Sequence, residues 1–126
     1  MDIPNQRRID FASLENRVCR LANGLIDICH AVKGDRVAVL SKNCIEYMEI
    51  FFACARVGLI IQPLNWRLGD DELHRIIEDG NPTVIIHAGE YAVLKQQLEN
   101  NIGVDHWLSF GPVSYTHLTL PTMVQV

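Results

Sequence analysis

Five histidines, a run of three acids and a Trp–Arg pair are the residues whose chemistry could be put to work in this 126-residue sequence. The histidines are His30, His74, His87, His106 and His117, and no two stand four apart on one helical stretch. The i, i+4 pair with which a helix grips zinc is therefore missing. His87 closes the apolar run TVIIHA, so a strand there puts its imidazole at the carboxyl edge, where α/β proteins take their ligands. A buried, satisfied histidine is the plainer reading of the same position. Asp70, Asp71 and Glu72 could face a cation, but three acids opening a helix are what its dipole favours in any case. Trp66 and Arg67 follow an apolar run and could line a cleft; an indole packed beneath a snorkelling arginine stem explains them equally.

Four cysteines, Cys19, Cys29, Cys44 and Cys54, form no C-x-x-C unit, which removes zinc-ribbon and thioredoxin chemistry. All four fall among apolar neighbours in helical patterns. That suits small buried thiols in a reduced, cytoplasmic chain. Phosphate chemistry has no loop to work with: the sequence holds neither G-x-G-x-x-G nor G-x-x-x-x-G-K-[ST], and VKGDRV is one glycine after a helix. A G-x-S-x-G elbow is also missing, so an α/β-hydrolase nucleophile is excluded. The formal net charge of −4, without a basic cluster, argues against nucleic acid or an anionic membrane surface as partner. No apolar run reaches the roughly 18–20 residues that span a bilayer, and the start, MDIPNQRRID, has no apolar signal-peptide core.

The elements that must position these residues alternate. FASLENRVCRLANGLIDICHAV, Phe11 to Val32, places Leu14, Val18, Leu21, Leu25 and Ile28 on one face, with Asp10 as its N-cap. RVAVL, Arg36 to Leu40, reads as a buried strand. Asn43 with Glu46 has the spacing of a capping box. The helix it opens, Cys44 to Val57, is apolar nearly all round and calls for burial on more than one side; Gly58 ends it. Leu59 to Asn65 reads as a second buried strand, with Pro63 near its end. A helix opening at Asp70 carries Leu73, Ile76 and Ile77, and Gly80 and Pro82 stop it. Thr83 to Ala88 is a third strand. Glu90 to Asn100 is a fourth helix with Tyr91, Leu94 and Leu98 inward, and His106 to Phe110 a fourth strand. Apolar strands joined by helices predict an α/β fold: a partial, doubly wound parallel sheet with helices on both faces.

RLANGL, then VKGDRVAVLSKNCIEYMEIFFACARVGLIIQPLNWRL, then DDELHRIIEDGNPTVII resembles the start of the AMP-forming acyl-CoA synthetases, members of the adenylate-forming superfamily. The likeness runs from about Ile9 to about Ala88. ARVGLIIQPLN, Ala55 to Asn65, looks like the family's second core motif, and IDFASLENR, Ile9 to Arg17, is a loose version of its first. Gly69-Asp70 stand where the family often has Thr-Pro or Ser. The resemblance implies an ATP-dependent ligase that joins a small carboxylate to CoA through an acyl-adenylate, with ATP, Mg²⁺ and CoA as its small molecules. The family's phosphate loop, aromatic-Thr-Glu motif, ribose-binding Asp and catalytic lysine all lie downstream of this region. The resemblance therefore transfers no catalytic, cofactor-binding or metal residue onto this sequence, and implies residues 1–112 as the N-terminal part of a truncated domain, inactive alone. A piece of an amino-acid adenylation domain is an alternative, although PLNWRL is nearer the acyl-CoA branch. A small non-catalytic α/β binding module is another.

The final stretch, VSYTHLTLPTMVQV, Val113 to Val126, carries no Asp, Glu, Lys or Arg. Val113 to Thr122 matches one reading frame of a transposase-type sequencing adapter. Residues 113–126 are thus expected to be adapter translation, and Ser114, Tyr115, Thr116 and His117 to form no site.

Overall fold

The computed structural model describes residues 10–111. Helix α1 spans Phe11–Asp27, and Asp10 caps it, its Oδ1 accepting the Ser13 N–H at 2.7 Å. That bond holds the Asp10 carboxyl below its ordinary range. Leu14, Val18, Leu21 and Leu25 are buried as their spacing requires. The helix stops short of the predicted Val32 because the backbone turns at His30, which takes a left-handed φ of 57°. Ile28 consequently points outward, 66% exposed.

Strand β1 is Arg36–Leu40, and α2 is Ile45–Val57. The Asn43–Glu46 capping box does not form. Cys44 is the N-cap and makes no side-chain cap bond, so Glu46 falls at the second helical position, too early to reach back. Its carboxylate turns toward Arg17 of α1 instead, 3.8 Å from Nη2. Gly58 closes α2 with φ 76°, as predicted, and a Cβ there would come within 2.9 Å of the Lys33 stem.

Strand β2 is Ile60–Pro63, α3 is Asp70–Gly80, and β3 is Val84–Ala88. A 3₁₀ turn at Gly89–Tyr91 precedes α4, Ala92–Glu99, so the predicted fourth helix is divided. Strand β4 is His106–Phe110. The sheet has the order β2-β1-β3-β4 and every pairing is parallel. The buried second strand predicted over Leu59 to Asn65 is an edge strand instead, with Ile60 half exposed. Proline fits there: Pro63 holds the last ladder position opposite Val39, and the Leu64 N–H supplies the bond to the Val39 carbonyl at 2.9 Å.

Alternation along the strands sends Val37, Val39, Val84, Ile86 and Phe110 to one face, where they join Leu14, Val18, Leu21 and Leu25 of α1 and Ile50, Ala53 and Cys54 of α2. Ala38, Leu40 and Ile85 go to the other face and meet Leu73 and Ile77 of α3 and Leu98 of α4. Both faces are covered, as near-continuous apolar strands demand. Helix α2, apolar nearly all round in sequence and expected to be buried on more than one side, leaves Phe51 and Phe52 50% and 42% exposed, while Glu49 is fully buried.

Candidate functional site at the carboxyl edge of the sheet

Strands β1 and β3 are neighbours, yet their outgoing chains part company. The chain after β1 enters α2 on one face, and the chain after β3 enters α4 on the other. This divergence makes the carboxyl edge between β1 and β3 the topological switch point, the place at which open α/β sheets take ligands. The residues that border it come from the first turns after three adjacent strands.

Lys42 follows β1 and lays its Nζ 4.6 Å from the centre of the Trp66 ring. Trp66 follows β2 and is also stacked by its neighbour, with Arg67 Cζ 4.9 Å from the same centre. The Asn65 side chain fixes this turn by accepting the Arg67 N–H at 3.0 Å. Glu90 follows β3 and brings a carboxylate oxygen to 3.8 Å from Lys42 Nζ. Two cations on an indole, each interaction worth about 0.5–1 kcal/mol at an exposed site, make a positively charged shelf bordered by one acid. Such a shelf can bind an anion.

The pairing of Trp66 with Arg67 was legible in the sequence; the convergence of Lys42 and Glu90 on them was not. The usable signal was positional, since each of these residues follows the carboxyl end of a strand. His87 does not reach the shelf. It is buried on the α3–α4 face, its Nδ1 lies 2.8 Å from the Ala88 carbonyl, and burial lowers its pKa and keeps the imidazole neutral. The structural reading of His87 holds.

Asp70, Asp71 and Glu72 occupy the first turn of α3 behind the cap at Gly69. Among the described residues no three His, Cys, Asp or Glu gather as a metal site. His74 of α3 reaches the turn after α4, Nε2 lying 3.0 Å from the Asn101 carbonyl, and its Nδ1 lies 3.1 Å from Glu78 of its own helix. His30 makes the turn after α1, and His106 opens β4. His117, with Ser114, Tyr115 and Thr116, lies outside the described residues.

All four cysteines are free thiols. Cys29 and Cys54 are buried in the α1–α2 layer, and burial pushes the Cys54 thiol up to about 12. The helical placement holds for Cys19 and Cys54; Cys29 lies past the end of α1, and Cys44 sits at the cap of α2.

The α1–α2 seam carries an ion pair that the sequence did not announce. Arg17 Nε stands 3.0 and 3.1 Å from the two oxygens of Glu49, whose side chain is fully buried while that of Arg17 is 31% exposed. It joins α1 to α2, away from the Lys42–Trp66 shelf.

With this geometry the chain matches known proteins. Residues 2–117 match the family model described as AMP-binding enzyme. A feruloyl-CoA synthase of Amycolatopsis is 44% identical over 84 residues, which are 67% of this chain and 17% of that protein. A fatty acid–[acyl-carrier-protein] ligase of Streptomyces coeruleorubidus is 35% identical over 77 residues, 56% of this chain and 15% of that one. Among solved structures, a fatty acyl CoA synthetase of Mycobacterium tuberculosis superposes with a TM-score of 0.75 at 26% identity, covering 84% of this chain and 22% of the other. The chain thus spans about a fifth of the length of the relatives it matches. A family model that accounts for nearly the whole sequence, on a parallel sheet shared with solved synthetases, places this chain in the AMP-binding enzyme family.

Proposed function

We propose that this chain is the N-terminal part of an ATP-dependent acyl-CoA ligase, cytoplasmic, acting on a small carboxylic acid. The observation that carries the reading is the family match across residues 2–117, together with relatives named for CoA and fatty-acid ligation. Those names favour the acyl branch over an amino-acid adenylation domain. The reaction has two steps. A carboxylate oxygen attacks the α-phosphorus of ATP, forming acyl-adenylate and expelling pyrophosphate; the CoA thiol then takes the acyl group and AMP leaves. Phosphoryl and nucleotidyl chemistry leans on preorganised charge. Among the described residues no three His, Cys, Asp or Glu gather into a ligand set for Mg²⁺.

In this reading the α/β layer is support. The described residues hold no catalytic group, and the shelf of Lys42, Trp66 and Arg67 turns positive charge toward a phosphate of ATP or CoA. The same reading assigns residues 1–112 to the synthetase domain and 113–126 to adapter translation; the family match itself runs to residue 117, past that division. Among the described residues no helix is long and apolar enough to cross a membrane.

The test is ATP–pyrophosphate exchange by the purified 126-residue chain with Mg²⁺ and either ferulate or a fatty acid. The expected result is no label in ATP above the protein-free blank. Carboxylate-dependent exchange would overturn the claim that the chain lacks an active site.

A further inference from the structure

We infer that Glu90 is a gate on the cationic shelf, closing it by pairing with Lys42 until an anion displaces the carboxylate. This rests on the reading of the shelf as phosphate-facing. Lys42 and Glu90 belong to the two connections that diverge at the switch point, so their contact joins one connection to the other. The separation is 3.8 Å and both side chains are about half exposed. A pair in that setting is weak and opens readily. Trp66 keeps Lys42 Nζ in place from the other side, 4.6 Å away, so losing Glu90 leaves the ammonium on the shelf. Glu90 is carried on the short 3₁₀ turn Gly89–Tyr91, ahead of the first residue of α4. An incoming phosphate competes with this carboxylate for one cation, while Arg67 lies 4.9 Å from the same ring and is free of that competition.

The experiment titrates the full chain with inorganic pyrophosphate at low ionic strength. Trp66 fluorescence is followed in a Trp107→Phe background, for variants that keep the parent's circular dichroism. Glu90→Gln and Glu90→Ala are each expected to tighten binding about two- to fivefold, the range that release of a surface ion pair supplies. In a Lys42→Gln background the same substitutions are expected to change nothing. Unchanged or weaker binding by both Glu90 variants, with Lys42→Gln and Arg67→Gln still weakening it, overturns the gate and leaves the shelf standing. Tightening that persists without Lys42 also overturns the gate, because it is then a general field effect. Failure of pyrophosphate to perturb Trp66 in any variant overturns the shelf itself.

Discussion

Arg17→Met is expected to destabilise the chain by about 3 kcal/mol, near the low end of what breaking a buried ion pair costs. The carboxylate of Glu49 is fully buried in the seam between α1 and α2, and Arg17 Nε faces both of its oxygens. Removing the guanidinium strips that charge-assisted donor from an ion that water does not reach. The guanidinium's own 31% exposure tempers the effect, because solvent already shares its charge. A double variant, Arg17→Met with Glu49→Leu, is expected to recover most of the loss, since apolar replacement of a buried pair is commonly neutral or stabilising. Urea unfolding at neutral pH measures both, provided the slope is common to the variants. A loss below about 1 kcal/mol for Arg17→Met, the level of a surface pair, would show that the seam does not depend on this contact.

Ile50→Ala is expected to cost about 3 kcal/mol or more, in the range for truncating a buried aliphatic chain whose cavity cannot collapse. Ile50 is fully buried at the middle of α2, in the cluster that joins α1, α2 and the Val37, Val39, Val84 and Ile86 side of the sheet. Strand residues on one side and α1 on the other hold the walls of that cavity apart. Ile76→Ala is the control. Ile76 is 37% exposed on α3, and its truncation is expected to cost clearly less than Ile50→Ala, because a side chain already open to solvent leaves no closed cavity. Equal losses at the two positions would contradict the layer assignment.

The alternation of elements, the parallel sheet and the two covered faces were legible because strand runs such as VAVL and VII are apolar at every position, which only burial on both faces explains. The ends of elements were less legible. Asn43 and Glu46 have capping-box spacing, but the helix begins one residue later, and a cap depends on where the first turn is anchored rather than on spacing alone. The strand at Ile60 reads as buried from its residues; its place at the sheet edge follows from strand order, which no local pattern encodes. Helix α2 looks apolar all round, yet its fully buried acid is Glu49 and its exposed residues include Phe51 and Phe52. The buried acid meets its partner in Arg17, 32 residues earlier, which no local pattern in α2 encodes. The shelf was half legible: Trp66 and Arg67 are adjacent in sequence, whereas Lys42 and Glu90 reach them only through the order β2-β1-β3.

The central claim is that this region supplies scaffold, and no reacting group, to an acyl-CoA ligase. Grafting residues 10–111 into the Amycolatopsis feruloyl-CoA synthase, in place of its matching stretch, tests it most directly, with thioester formation as the readout. A soluble, folded hybrid is predicted to make feruloyl-CoA with kcat within about tenfold of the parent, a loss of no more than roughly 1.4 kcal/mol in the barrier. A hybrid that folds, still forms the acyl-adenylate or binds ATP as the parent does, and yet makes no thioester would contradict the claim.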